Sequence, residues 1–237
     1  MKKLLLFSLL LFAWTAYSQP IGNNIANPTN YLADLKLELQ KEWPKNRTIN
    51  IVFHGHSVPA GYFKTPIVNT AEAYPNLFLK NLKTVYPLAV VNVIVTAIGG
   101  ENSIHGAARF KSDVLTLRPD LILIDYALND RGAGLDKARI AWEKMIKQAK
   151  ARGIKVFLLT PSPDQGVNYA NPDNDLKKHT DQIRKLADEN QVGLVDSYKA
   201  FEFLYPDKEK LSQYMSQVNH PNKQGHELIV NELMKWF

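Results

Sequence analysis

The run TINIVFHGHSVPAG, residues Thr48–Gly61, decides the fold. Its first six residues, Thr48 to Phe53, form a compact apolar stretch suited to a buried strand. At His54-Gly55-His56-Ser57 the character changes to small and polar residues. Gly55 and Gly61 flank the serine, so Ser57 can be held on a tight turn at the end of the strand. Working outward, the same strand signal returns at Ala89–Thr96 (AVVNVIVT), Leu121–Tyr126 (LILIDY), Ile154–Thr160 (IKVFLLT) and, shorter, at Val192–Asp196. Between these runs the period becomes helical. Leu135–Arg152 puts Leu135, Ala138, Ala141 or Trp142, Met145, Ile146 and Ala149 on one stripe, and Gly153 stops it. Ala71–Val85, Ala107–Leu117, Asp175–Asn190 and Lys223–Trp236 read as helices too, and Tyr31–Trp43 as a short helix closed by Pro44. Apolar strands alternating with helices predict an α/β fold with a parallel sheet covered on both faces, in one domain.

Parallel sheets of this kind bind ligands beyond the carboxyl ends of their strands, so the residues following each strand carry the functional information. After the first strand stands Ser57. After the second comes Ala97-Ile98-Gly99-Gly100-Glu101-Asn102-Ser103, where paired glycines let the backbone approach a ligand and aim an N–H at it. After the third comes Ala127-Leu128-Asn129-Asp130-Arg131-Gly132, which puts an amide donor at the crevice. Near the C-terminus, Asn219-His220-Pro221-Asn222 opens the last helix, and a histidine before a proline sits in extended backbone. Singly, these are as well read as a turn serine, a plain strand-to-helix turn, an Asx turn and a structural histidine.

The N-terminus has its own pattern. Lys2 and Lys3 precede an apolar run, Leu4 to Trp14, and Ala16-Tyr17-Ser18 offers small residues at the cleavage positions. That is the layout of a secretory signal peptide, 1–18. The run is too short to span roughly 30 Å of hydrocarbon, so no stable membrane insertion is expected after cleavage. The expected organisation is a signal peptide at 1–18, a leader with a short helix at 19–46 and the folded domain at 47–237. The chain has no cysteine, which excludes a cysteine-linked lipid anchor and leaves the core to suffice without disulfides. The net charge of +6 includes Lys2 and Lys3, and the remaining basic residues are scattered among acids, which argues against nucleic-acid binding.

Ser, Gly and Asn after successive strands, then His-Pro-Asn before the final helix, resemble in order the four blocks of the SGNH (GDSL-like) hydrolase superfamily, over Thr48–Phe237. Three blocks depart from the family pattern. Gly55-His56-Ser57 stands for Gly-Asp-Ser, Ala127-Leu128-Asn129-Asp130 for Gly-x-Asn-Asp, and Gln217-Val218-Asn219-His220-Pro221 for Asp-x-x-His-Pro. The resemblance implies a flavodoxin-like three-layer α/β/α sandwich on a five-stranded parallel sheet. It implies a serine esterase with Ser57 as nucleophile and His220 as base. The oxyanion hole would be the Ser57 N–H, the Gly100 N–H and the Asn129 side chain. Where the family has an aspartate to orient the histidine, this chain has Gln217. A glutamine oxygen, a backbone carbonyl or a carboxylate from elsewhere in the chain remain open for that role.

Near the expected crevice, His56, Tyr62, Glu101, Arg109 and Arg131 are candidates to touch substrate, with ordinary surface or ion-pair roles as the alternative. His54 and His56 form His-x-His, but no carboxylate or cysteine cluster completes a metal set, so no metal and no cofactor are expected. His226 reads as a helix residue facing solvent or packing. By family analogy the substrate is a small acyl ester, acetyl foremost, on a carbohydrate, met outside the cytoplasm or in the periplasm. A lysophospholipase or short-chain lipase is the alternative enzyme, and a carbohydrate-binding relative that has lost catalysis is the alternative of another class.

Overall fold

A computed structural model describes residues 25–237; the expected signal peptide lies outside the described residues. In chain order the elements are α1 (Ala33–Gln40), β1 (Thr48–Gly55), α2 (Ser57–Ala60), α3 (Tyr74–Val85), β2 (Val90–Val95), α4 (Ser103–Asp113), β3 (Leu121–Asp125), α5 (Ala127–Asp130), α6 (Leu135–Lys150) and β4 (Lys155–Leu159). There follow α7 (Asp175–Asn190), β5 (Gly193–Val195), α8 (Ser197–Phe201), α9 (Lys208–Ser212), β6 (Met215–Gln217), β7 (His220–Pro221) and α10 (Lys223–Met234).

The first five strands form one sheet, parallel throughout, in the order β2-β1-β3-β4-β5. The chain steps from β1 outward to β2, then returns across β1 to β3. Because crossovers between parallel strands are right-handed, that reversal changes which face the next helix covers. Period-two alternation sorts the strand residues accordingly. Ile49, Ile51, Phe53, Leu121, Leu123, Phe157 and Leu159 share a core with the Leu35 and Leu39 side of α1, Phe78 and Leu82 of α3, and Ile229 and Leu233 of α10. Val52, Ile122, Ile124, Val156 and Leu158 face Phe110 of α4, Trp142, Met145 and Ile146 of α6, and Ile183 and Leu186 of α7. The result is a three-layer α/β/α sandwich. The reversal leaves a crevice beyond the carboxyl ends of β1 and β3, where neighbouring connections run to opposite sides.

Several boundaries differ from the sequence reading for local reasons. Helix α4 begins at Ser103 rather than Ala107, because Asn102 caps it, its Oδ1 accepting the N–H groups of Ile104 and His105. Helix α3 begins at Tyr74, where Pro75 fits the first turn. Helix α1 stops at Gln40, short of Trp43, which is 83% exposed. Strand β2 is at the sheet edge and is only half-buried, unlike the central strands. A short antiparallel pair, β6 and β7, was not signalled by any periodic run; it carries Gln217 and His220 opposite one another.

Candidate active site

Strand β1 delivers Ser57 to the crevice. Gly55 closes the strand where it runs tight against β3: a Cβ there would stand 2.5 Å from the Asp125 carbonyl oxygen. The chain then turns into α2, whose first residue is Ser57. His56 caps that helix, its Nδ1 accepting the Val58 N–H at 3.3 Å. His220 comes from β7, 163 residues further along, and its Nε2 lies 2.9 Å from Ser57 Oγ. Ser57 and His220 are 8% and 7% exposed, so the pair is shielded yet open on one side.

The other side of the His220 ring decides its tautomer. Nδ1 is 2.9 Å from the Phe63 carbonyl oxygen, which can only accept, so the proton sits on Nδ1 and the Nε2 lone pair faces the serine hydroxyl. Gln217 Nε2 also lies 2.7 Å from Nδ1. Its Oε1, however, accepts the Thr65 N–H at 3.0 Å, which turns the amide nitrogen, not the oxygen, toward the ring. Of the acceptors open to His220, the backbone carbonyl is the aligned one, and Gln217 buttresses the loop carrying it. Burial holds His220 below its ordinary value of 6.5; the Phe63 bond partly offsets this and the nearby His56 adds to it. A neutral imidazole with its lone pair on a serine hydroxyl is equipped to accept a proton.

The proposed oxyanion donors converge on the same spot. Ser57, Gly99, Gly100, Asn129 and His220 line one cavity of about 400 Å³ together with Tyr62, Thr65, Gln217 and Asn219. Gly100 has φ of 77°, a left-handed conformation that suits glycine. The backbone N–H groups of Ser57 and Gly100 have no protein acceptor among the described residues. One Asn129 amide proton goes to the Glu101 carbonyl at 2.9 Å, which fixes the side chain and leaves the other proton for a ligand.

His56, Glu101 and Arg109 are not among the cavity-lining residues. His56 is fully buried behind Ser57. Its Nδ1 is 3.4 Å from Ser57 Oγ, and its Nε2 is 3.3 Å from Asp125 Oδ1. Asp125 Oδ2 accepts the Tyr74 hydroxyl at 3.0 Å. Glu101 is held by Arg109 Nε at 2.8 and 3.0 Å and by the Tyr126 hydroxyl at 2.7 Å. This cluster pins the loop bearing Gly100. Tyr62 does line the cavity, and Arg131 lines the neighbouring one, paired with Asp164 at 2.6 Å.

His54 points elsewhere than His56, with Nδ1 2.9 Å from Thr96 Oγ1 and Nε2 3.1 Å from the Tyr126 hydroxyl; burial and the Arg109 charge depress it to about 4. Among the described residues no group of three or more His, Cys, Asp or Glu is placed to hold a metal ion. His226 is fully buried, not solvent-facing. Its Nδ1 accepts the Tyr74 N–H at 3.2 Å and its ring stacks on Phe63 at 5.2 Å, beneath the carbonyl that orients His220.

The sequence reading missed Phe63 because a main-chain carbonyl leaves no side-chain signature. It also missed Asp130, which stands in the quoted Asn-Asp pair. Asp130 is buried and accepts the Ser103 N–H at 2.8 Å and the Trp142 indole N–H at 2.7 Å, joining the second and third loops.

A parallel α/β sandwich with a serine–imidazole pair at the carboxyl edge of the sheet has the layout of a serine hydrolase. Comparison with known proteins narrows the class. The model of the GDSL-like Lipase/Acylhydrolase family matches residues 53–228, and the chain belongs to that family. A two-domain esterase active on acetylated mannans, co-crystallized with mannopentaose, superposes with a TM-score of 0.73 at 19% identity over 91% of this chain and 55% of that one. This chain therefore spans about half the length of that protein. The acetylxylan esterase Axe2 of Geobacillus stearothermophilus gives 0.65 at 19% identity, covering 79% and 93% of the two chains. The acetyl xylan esterase AlAXEase gives 0.63 at 25% identity, covering 78% and 98%. Compared by sequence with curated proteins, the chain has no match.

Proposed function

We propose that this protein is an exported esterase that removes acetyl groups from carbohydrate through an acyl-enzyme on Ser57. The observation that carries the catalytic assignment is the 2.9 Å contact between Ser57 Oγ and His220 Nε2. The serine hydroxyl attacks the ester carbonyl while its proton passes to Nε2. The resulting imidazolium keeps its Nδ1–H on the Phe63 carbonyl, and the negative oxygen meets the N–H groups of Ser57 and Gly100 and the free Asn129 amide proton. His220 then gives its proton to the departing sugar oxygen as the ester C–O bond breaks; water next attacks the acyl-enzyme with His220 again taking the proton, and acetate leaves as that proton returns to Ser57.

Two observations support a short acyl group. The wall of the Ser57 cavity beside the catalytic pair is Tyr62, Thr65, Gly99, Gly100, Asn129, Gln217 and Asn219, with no aliphatic side chain among them. The similar folds include esterases described as acting on acetylated mannan and xylan. Export rests on the signal-like segment at 1–18. The test is acetate release from acetylated xylan and mannan, beside a panel of aryl esters from acetyl to long acyl. Acetyl preference and loss of at least about 10³-fold in kcat for Ser57→Ala are expected. Long-chain preference would move the reading to a lipase. Absence of hydrolysis by folded protein would leave a binding protein.

A further inference from the structure

The crevice does not end at the catalytic pair. Asn129 lines both the Ser57 cavity and a second one of about 500 Å³, whose wall also holds Arg131, Asn168 and Asn171. Asn168 and Asn171 in turn line a third cavity of about 630 Å³, backed by Tyr169, Tyr198 and Tyr205. Shared walls set the three cavities side by side, from Ser57 to Tyr205. The loop that walls two of them is tied to the catalytic segment: the Gln165 N–H donates to the Val218 carbonyl at 2.8 Å, and the Gln165 side chain donates to the Gln217 carbonyl at 3.2 Å.

The far end has a defined chemistry. Tyr169 and Tyr205 stack at 3.8 Å and 6°, and Tyr198 closes on Tyr205 at 4.8 Å. The hydroxyls of Tyr169 and Tyr205 are turned inward, Tyr169 donating to the Asp164 carbonyl at 3.1 Å and Tyr205 to the Tyr198 carbonyl at 3.0 Å. What remains for a ligand is rigid aromatic carbon. Beside it, the oxygens of Asn168 and Asn171 are taken by the N–H groups of Ala170 and Asp173. The two amide NH₂ groups are left without a protein acceptor among the described residues. Three charged residues rim it: Lys177, paired to Asp181, Glu202, paired to Lys199, and Lys208. Aromatic ring surface with loose amide donors suits the C–H faces and hydroxyls of a neutral sugar.

We infer that the Tyr169–Tyr205 cavity is a distal subsite for an uncharged oligosaccharide whose acetylated unit occupies the Ser57 cavity. This rests on the esterase reading above and specifies how the polymer lies. The enzyme would then gain from chain length what it cannot gain from an acetyl group alone.

The experiment compares kcat/KM on 4-nitrophenyl acetate with kcat/KM on acetylated xylo- and manno-oligosaccharides of increasing length. Wild type is compared with Tyr205→Ala and with Ala170→Trp, which fills the third cavity from an exposed position and removes no hydrogen-bonding side chain. The value read is the ratio of the two kcat/KM within each protein, so the fraction folded cancels. Wild type should favour longer oligomers, and each variant should lower the long-oligomer ratio about tenfold, chiefly in KM, with aryl acetate turnover unchanged. A ratio independent of chain length, or unaltered in both variants, overturns the distal subsite while aryl acetate hydrolysis upholds the esterase. Long-acyl esters that lose turnover in Ala170→Trp would make these cavities an acyl channel and likewise overturn it. Loss of all ester hydrolysis in wild type would sink the underlying reading instead.

Discussion

His220 sits between a hydroxyl it can deprotonate and a carbonyl that fixes its proton, with no carboxylate on either ring nitrogen among the described residues. This has two consequences that can be measured. Because burial lowers its pKa, His220 is neutral at neutral pH and remains so some way into acid; kcat/KM should fall on the acid side through an apparent value below 6.5. Replacing Gln217 by the isosteric glutamate keeps an acceptor for Thr65 and sets a negative oxygen beside Nδ1. Gln217→Glu should raise that apparent value by about one pH unit or more, and an unmoved limb would show that position 217 does not sense the ring. Asn129→Ala removes one oxyanion donor and should reduce kcat about 10²–10³-fold with little change in KM, measured on a small acetyl ester. At this scale the placement of Ser57, Gly100 and Asn129 after strands and of His220 before the last helix was legible in the sequence, and the structure brings Ser57, Gly100, Asn129 and His220 to one cavity; their roles came from the family resemblance. Phe63 was not, since its side chain packs on His226 and only its carbonyl acts.

At the scale of elements, the site is held by polar clasps between loops. Asp130 joins α4 to α6 through the Ser103 N–H and the Trp142 indole, both buried. Asp130→Ala would strand both donors and should cost about 2–4 kcal/mol in urea unfolding; a loss under about 0.5 kcal/mol would mean the clasp is idle. Gly55 is constrained differently, since any Cβ collides with the β3 backbone. The central strands and α7 could be read from period and β-branched content, the latter to both boundaries. The start of α4 was misplaced because a cap, not an apolar stripe, sets it. The pair β6–β7 was invisible because two strands of three and two residues carry no repeat.

Across the whole molecule, buried histidines link stability to acidity. His54 and His179 are depressed to about 4 and His226 to about 3, in each case chiefly by burial. The unfolded chain takes up protons at these sites below about 6.5 while the folded protein refuses them, so folding loses stability as pH falls from 6.5 towards 3 and is unaffected by them above it. Tm should drop steadily between pH 6.5 and 4.5, with a shallower slope in His179→Leu. A flat Tm over that range would show that these rings are solvated. The strand order, with β1 between β2 and β3, was implied by the family resemblance and not by composition, because nothing local in a strand names its neighbours. It is that order which opens the crevice where positions 57 and 220 meet.

The most direct measurement is the intact mass and peptide map of the folded protein after treatment with a fluorophosphonate. One adduct is expected, on Ser57, absent in Ser57→Ala and formed far more slowly in His220→Ala. An adduct on another residue, or none on folded wild type, would contradict the Ser57 assignment.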